Sequence, residues 1–360
     1  MKDKKHPSNG PGKSGAKIRS LPIQLWPAAD KNAWGAACRP SARLKRGGAA
    51  SHLKPVTRND LAQRYGYFLD YLSRSNWLDP SAGPGAHVTA QYVEPYIAEL
   101  KERVSSVTVN GSICKLRRTT QLIAPDRDLG WLIEIERDLA FDMRPRSKRD
   151  RLVLTEVLID AGLTLIAEAE TTDGLTNLAR ARMVRNGLMV ALLACCPVRL
   201  KNFAALEIER SIVKVGAYWW IVLAGSETKE ARPDERPVPD YLTQYINRYI
   251  QTYRPILART DEISNALWLT SDYGRPMTYA SVGETVTETT RSTVGVNLSP
   301  HLFRAAAAST AAVYGGSTPR LGSALLHQRD SSVTEAHYNR ATSMSAAQAY
   351  AAISERYWHE

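Results

Sequence analysis

The stretch that decides the fold lies near the C-terminus and reads His301-Leu302-Phe303-Arg304. Two shorter motifs follow it along the chain, Leu325-Leu326-His327 and Glu335-Ala336-His337-Tyr338-Asn339. Upstream, Arg199 comes after a proline that separates two helical stretches, and Lys229 lies in a polar turn between two β-like segments. In chain order these motifs supply arginine, lysine, histidine, arginine, histidine and tyrosine, a set that can transfer a phosphoryl group without a metal.

The chemistry of phosphodiester cleavage explains why these residue types belong together. Attack on phosphorus adds negative charge to its non-bridging oxygens, which guanidinium groups match with paired, charge-assisted hydrogen bonds. A tyrosine hydroxyl can attack phosphorus and hold the broken strand as a covalent ester, while an ammonium group protonates the departing 5′ oxygen. Because the ester stores the bond energy, rejoining the strand consumes no nucleotide.

The combination and order of these residues resemble the tyrosine recombinases of the phage-integrase family, between about residue 55 and residue 340. That family combines an arginine, a hairpin lysine, a His-x-x-Arg motif, a second histidine or tryptophan, and a tyrosine near the C-terminus. By this resemblance, Arg199 and Arg304 clamp the scissile phosphate. His301 and His327 are expected to bond its oxygens or to move protons.

The resemblance also assigns the two groups that make and break covalent bonds. Lys229 is expected to be the general acid and Tyr338 the nucleophile, with no metal or other cofactor. Other tyrosines near the motifs are less suitable: Tyr314 lies inside a predicted core helix, and Tyr350 and Tyr357 lie beyond the last motif. Tyr338 therefore remains the predicted nucleophile.

The chain departs from the family pattern at two places. The family often has an acidic residue three positions after the first arginine, where this chain has Asn202, so support for Arg199 is expected from another residue. Leu326 replaces the glycine that precedes the second histidine, and the eleven positions from His327 to the tyrosine slightly exceed the usual spacing. His337 is therefore an alternative to His327.

β-branched and aromatic residues predict a hairpin over residues 212–223 and a short third strand over residues 236–239. Lys229 would lie in the connection to that third strand. A mobile hairpin tip could carry a general acid into a cleft when DNA arrives. Arg232 and Lys214 are the alternatives for this role.

Positive charge is concentrated at the N-terminus of the 360-residue chain. The formal net charge is +11, and residues 1–50 have eleven lysines and arginines against two aspartates, which gives +9 there and +2 in the rest. Glycines and prolines in this segment predict a mostly flexible basic arm. The arm could bind DNA phosphates beside the main site or could simply be a solubilising tail.

Helical periodicity predicts an all-α N-terminal domain over residues 51–143. Its first helix opens near Thr57, and three more are expected at residues 88–104, 106–122 and 127–143. By the resemblance, this is a SAM-like core-binding domain that holds DNA.

Two basic clusters could contact DNA, one in this domain and one in the linker that follows it. Lys115, Arg117 and Arg118 lie on the third predicted helix, where a solvated face is the alternative. The proline-bearing linker over residues 144–152 carries the second cluster, Arg146, Lys148 and Arg149. Such a linker would let two domains close around a duplex.

The second domain is predicted over residues 153–342. The resemblance implies a mixed α+β, mainly helical catalytic domain with a small antiparallel sheet, the fold of DNA breaking-rejoining enzymes. Thr155 is a candidate cap for a helix over residues 157–169, and a longer helix is expected over residues 176–196. The tail at residues 343–360 has an apolar stripe that would dock either on a neighbouring subunit or on its own domain.

Composition excludes several other classes of protein. Four cysteines are too few and too poorly spaced for a disulfide framework, which favours a reducing cytoplasm. No apolar run reaches the length of a membrane span, so a soluble protein is expected. By the family resemblance, the protein is expected to be bacterial and to associate with the nucleoid when it binds DNA. Gly12-Lys13-Ser14 is not a nucleotide-binding loop, because Pro7 stands where that motif needs glycine.

The sequence therefore predicts site-specific DNA strand exchange through a 3′-phosphotyrosine, as in integration, excision or transposition of mobile DNA. The expected partner is double-stranded DNA with specific sites, bound by a homotetramer on two duplexes, with accessory DNA-bending or partner recombinase proteins as a further possibility. Two alternatives stay open: a type IB topoisomerase that reseals the same strand, and a catalytically silent DNA-binding protein on the same fold.

Overall fold

A computed structural model describes residues 19–43, 46–144, 151, 153–229, 231–258, 264–314 and 326. The chain divides into two compact units, Met1–Arg146 and Ser147–Glu360, called here the first and second unit. Among the described residues, no helix is long and apolar enough to cross a membrane.

The first unit is helical throughout its described elements. Its helices are α1 (Ala28–Ala37), α2 (Pro55–Arg74), α3 (Ala90–Arg103), α4 (Ser106–Ile123) and α5 (Gly130–Phe141). Proline at the first position of α2 suits a helix start, because the amide it lacks would have no partner there. The apolar face of this helix is buried in the core and consists of Leu61, Tyr65, Phe68, Leu69 and Leu72.

The predicted flexible arm is wrong for the residues around α1. Trp26 and Trp34 are buried in the core of the first unit, and the Trp26 ring lies edge-on to Tyr65 with centroids 4.9 Å apart. The Tyr65 hydroxyl donates to the Asp30 carboxylate at 2.9 Å, which fixes α1 against α2. Composition averaged over fifty residues concealed these few anchoring side chains.

The second unit combines helices with one small sheet. Its helices are α6 (Thr155–Thr171), α7 (Asn177–Cys195), α8 (Leu200–Ala204), α9 (Asp240–Arg248), α10 (Arg254–Ala258), α11 (Tyr279–Val294) and α12 (Pro300–Tyr314), with one π-helical turn, Tyr249–Tyr253, between α9 and α10. The strands β1 (Ile212–Val215), β2 (Tyr218–Leu223) and β3 (Asp234–Pro237) form an antiparallel sheet in that order. The predicted fold class, mainly helical with a small antiparallel sheet, is confirmed.

Helices α6 and α7 pack closely at a pair of glycines. A Cβ on Gly162 would lie 2.6 Å from the Gly187 carbonyl oxygen, so a larger residue at either position would separate the helices. Thr176 caps α7 by accepting a hydrogen bond from the Ala179 amide at 3.2 Å. The predicted cap at Thr155 is wrong, because Thr155 is the first residue of α6 and its amide donates to the Thr310 hydroxyl at 3.0 Å.

Strand β3 begins two residues earlier than predicted, at Asp234. In the ladder with β2, Leu223 pairs with Asp234 and Ile221 pairs with Arg236. Because side chains two residues apart share one face of a strand, Asp234 and Arg236 both lie on the buried face, and Glu235 lies on the exposed one. A strand that buries two charged side chains is unusual, because charged residues are rarely buried without a partner.

Candidate active site

Arg199 emerges from a turn that the core holds in place. Helix α7 ends at Cys195, Val198 is buried, and Arg199 forms the N-cap of the short helix α8. The Arg199 carbonyl accepts from the amides of Asn202 and Phe203 at 2.8 and 3.0 Å. Phe203 in turn packs on the buried Trp268, with ring centroids 5.2 Å apart, so the turn has a fixed position.

Arg304 joins helix α12 to that turn. Its side chain is only 8% exposed, and Nη1 donates to the Pro197 carbonyl at 2.5 Å. Nη2 donates to the Leu326 carbonyl at 2.6 Å, which places the residue before His327 beside Arg304. His301 lies one turn earlier on α12 and is exposed.

Charges around Arg304 show that several arginines lie together. The pKa of Arg304 is lowered to about 10, first because the side chain is buried and then because the positive charges of Arg199 and Arg236 lie close by. The negative charge of Asp234 opposes this shift. Arg199, Arg236 and Arg304 are called here the arginine cluster. With a pKa near 10, Arg304 keeps its charge at neutral pH.

Asp234 and Arg236 form a buried, two-pronged ion pair that sequence reasoning missed. Arg236 donates from Nε and Nη2 to the two Asp234 carboxylate oxygens at 2.7 and 2.9 Å, and Arg236 and Asp234 are 7% and 8% exposed. Arg236 was predicted only as part of a short strand, since charged residues in a strand are normally solvated. The available signal was the spacing of the pair, two residues apart in a strand, which puts both charges on one face.

Lys229 lies in an exposed connection that is anchored on both sides. Thr228 is buried, and its hydroxyl donates to the Arg232 carbonyl at 2.7 Å and accepts from the Arg232 amide at 3.1 Å. Lys229 itself is exposed, as is the alternative Arg232. The other alternative, Lys214, pairs with Trp219 near the β1–β2 turn, at the opposite end of β2 from this connection.

Asn202 occupies the position where the family that the sequence resembles often has a carboxylate. Asn202 is buried, and its backbone amide donates to the Arg199 carbonyl. Asp234, from β3, is a carboxylate whose charge acts on Arg304. The expected support of Arg199 by another residue stays a prediction.

Several predicted functional residues lie outside the described residues. These are His327, Tyr338, Arg146, Lys148 and Arg149. Among the predicted DNA-contacting residues of the first unit, Lys115 pairs with Asp60 at 2.8 Å, Arg117 pairs with Glu136 at 2.6 Å, and Arg118 is exposed on α4. Contact with DNA stays a prediction for all of them.

Comparisons with known proteins identify the fold. The sequence matches no protein-family model and no curated protein. The structure of the XerH site-specific recombinase bound to its difH substrate in a pre-cleavage complex aligns over 78% of this chain and 76% of its own, with 12% identity and a TM-score of 0.53. The crystal structure of XerA recombinase aligns over 83% of this chain and 94% of its own, with 15% identity and a TM-score of 0.37. The likeness to XerH shows that the chain has the fold of a tyrosine recombinase.

Proposed function

We propose that this protein is a site-specific DNA recombinase that cuts and rejoins strands through a covalent 3′-phosphotyrosine. The observation that carries the proposal is the arginine cluster, in which the partly buried Arg199 lies beside the buried Arg236 and Arg304, on the fold of a tyrosine recombinase. Like charges that repel each other in a buried site are stabilised by an oxyanion, and the scissile phosphate has that charge.

The proposed reaction is a transesterification with balanced proton transfers. The Tyr338 oxygen attacks phosphorus as the P–O5′ bond breaks, and Lys229 donates a proton to the departing 5′ oxygen. Arg199 and Arg304 hold the non-bridging oxygens, and His301 and His327 take part in bonding them or in moving the tyrosine proton. Reversal with a 5′ hydroxyl from another strand exchanges the partners and releases the tyrosine.

Double-stranded DNA is the proposed partner, bound by four copies of the chain on two duplexes. The likeness to a recombinase solved on its DNA substrate supports this choice. The biological context we propose is movement of mobile DNA by integration, excision or transposition, with the tail at residues 343–360 coupling neighbouring subunits. Deleting that tail should then prevent tetramer assembly on target DNA; unchanged assembly would favour docking on its own domain.

Trapping covalent adducts in cells tests the central step on whichever DNA site the protein selects. Cells expressing the tagged protein are lysed in denaturant, the protein is purified, and the attached DNA is sequenced. The wild type should carry DNA broken at a recurring site, and Tyr338→Phe should carry none because the nucleophile is absent. An adduct of equal yield in Tyr338→Phe would refute the assigned nucleophile, and no adduct in the wild type would favour a silent DNA-binding protein.

A second assay separates recombination from topoisomerase activity. The mapped site is placed on two DNA fragments, and on a supercoiled plasmid that carries a single copy. Exchange between the fragments supports a recombinase. Relaxation of plasmids irrespective of the site, with no exchange, would support the type IB alternative.

A further inference from the structure

We infer that Arg236 is a third phosphate-binding arginine, which Asp234 positions so that Nη1 faces a non-bridging oxygen of the bound phosphodiester. This inference rests on the proposed function and extends it to a residue outside the motifs that suggested it. Three features of the described residues support it. Arg236 has a buried donor without an acceptor, other positive charges lie close to it, and its guanidinium group is held in a fixed orientation.

The first feature is a buried donor without a partner. A guanidinium group has five N–H bonds, and Arg236 directs Nε and Nη2 to the Asp234 carboxylate. Nη1 is buried and donates to no acceptor among the described residues. An unpaired buried donor is destabilising, so its presence indicates a ligand that accepts from it.

A buried arginine elsewhere in the second unit shows the contrasting pattern. Arg185 is equally buried, but Nη1 donates to the Leu269 carbonyl at 2.6 Å, and Nε and Nη2 donate to the Asn186 side chain at 3.1 and 2.9 Å. All three nitrogens of Arg185 thus have acceptors within the protein. Arg185 has the bonding expected of a structural arginine, and Arg236 does not.

The second feature is the charge around Arg236. Its positive charge contributes to the lowered pKa of Arg304, together with that of Arg199, and Asp234 only partly opposes them. Among the charges that act on Arg304, the positive ones of Arg199 and Arg236 exceed the negative one of Asp234. A phosphodiester carries one negative charge, and its oxygens gain more as the nucleophile attacks, so this excess is suited to the reacting group.

The third feature is how firmly Arg236 is held. It lies in β3, where Ile221 of β2 pairs with it, and both oxygens of Asp234 fix the plane of its guanidinium. A planar fork held on one edge presents its remaining nitrogen in a defined direction. Strand β3 also begins just after the connection with Lys229, so the same short segment would supply both the proposed general acid and the third arginine.

Stabilisation by inorganic phosphate tests the inference without requiring cleavage. Phosphate at tens of millimolar should raise the melting temperature of the wild type and of Arg185→Lys by similar amounts. In Arg236→Lys the increase should fall to less than about half, because lysine lacks the planar fork. An equal increase in Arg236→Lys would overturn the inference, even if the wild type never cleaves DNA.

Cleavage of a nicked duplex that contains the mapped site then separates phosphate contact from a merely structural role. Arg236→Lys should cleave about 100-fold more slowly than wild type, as for the loss of one oxyanion donor, while Arg185→Lys stays within about threefold. Replacing one non-bridging oxygen by methyl removes the proposed acceptor, so in one of the two stereoisomers the variant and wild type should react at similar rates. The same defect in both stereoisomers would assign Arg236 a structural role only.

Discussion

The two units bury polar groups in opposite ways. In the first unit, Asp30 is completely buried, and its two oxygens accept from the Tyr65 hydroxyl at 2.9 Å and the Gly85 amide at 2.7 Å. These three residues are called here the Asp30 network. In the second unit, Arg236 and Arg304 are buried, and the positive charges of Arg199 and Arg236 act on Arg304 against the negative charge of Asp234.

The difference shows which buried polar group stabilises the fold and which is available for a ligand. Both oxygens of Asp30 accept hydrogen bonds from donors within the protein, and the network ties α1 to the rest of its unit. The arginine cluster brings like charges together, and Nη1 of Arg236 has no acceptor among the described residues, which makes the free protein less stable than a neutral site would. Such a cost to stability is typical of a site that binds an oxyanion.

The largest expected effect is on cleavage by the arginine cluster. Arg304→Lys keeps a positive charge but loses the fork, so single-turnover cleavage of the nicked duplex should fall about 100- to 1,000-fold, or roughly 3–4 kcal/mol of transition-state stabilisation. Arg248→Lys is the matched control, because Arg248 makes a partly exposed ion pair with Glu170 in the same unit. If Arg304→Lys loses cleavage only in proportion to its loss of folded protein, Arg304 acts on stability and not on the reaction. That result would contradict the contrast between the units.

The Asp30 network should show the reverse, a large effect on stability. Asp30→Ala leaves the Tyr65 hydroxyl and the Gly85 amide buried without acceptors, which should lower the free energy of unfolding by about 3 kcal/mol. Tyr65→Phe removes only one donor and should cost about 1 kcal/mol. Urea unfolding followed by tryptophan fluorescence, to which the buried Trp26 and Trp34 of the first unit contribute, measures both. A change below about 0.5 kcal/mol in Asp30→Ala would show that the network does not stabilise the first unit.

The fold was largely predictable because its strongest signals are local. The apolar spacing in α2 and the β-branched and aromatic run of β1 and β2 each specify an element without reference to distant residues. The predictions were wrong where a contact with a residue distant in the sequence determines the local structure. The segment around Trp26 and Trp34 is ordered by packing on α2, and the Thr155 amide is bonded by Thr310 of α12.

The candidate site was predictable only in part for the same reason. Motif order predicted Arg199 and Arg304 as partners, and the structure places them together through Pro197. The burial of Asp234 and Arg236 depends on the sheet face that forms when β3 pairs with β2, which is not visible in the local sequence of β3. The roles of His327 and Tyr338, outside the described residues, stay predictions.

A pH effect of intermediate size is expected in the first unit. His87 is buried, and its Nε2 accepts from the Asp79 amide at 2.9 Å, which requires an unprotonated nitrogen. Burial lowers the pKa of His87, although the charges of Asp30 and Asp79 oppose this and that of Arg127 adds to it. The unfolded chain therefore binds more protons below about pH 6.5, so stability should decrease as the pH falls through that value.

The slope of that decrease is limited to one proton, at most about 1.4 kcal/mol per pH unit. His87→Gln keeps an acceptor for the Asp79 amide but does not titrate, so its unfolding free energy should vary less between pH 5 and about 6.5. His52→Gln, at an exposed position of the same unit, is the control and should follow the wild type. Equal pH dependence in wild type and His87→Gln would show that this histidine does not couple stability to pH.

The smallest expected effect is on DNA affinity and its salt dependence. It tests whether the surface charges of α4 in the first unit contact DNA or are neutralised within the protein. Glu136 pairs with Arg117 on α4, whereas Arg118 on the same helix is exposed. If α4 contacts DNA phosphates, Arg118→Ala should reduce the slope of log affinity against log salt by about one, and Glu136→Gln should increase affinity by freeing Arg117. The titrations use duplex DNA without the mapped site, because phosphate contacts do not depend on sequence. If neither variant changes the slope or the affinity, α4 is a solvated face and does not contact DNA.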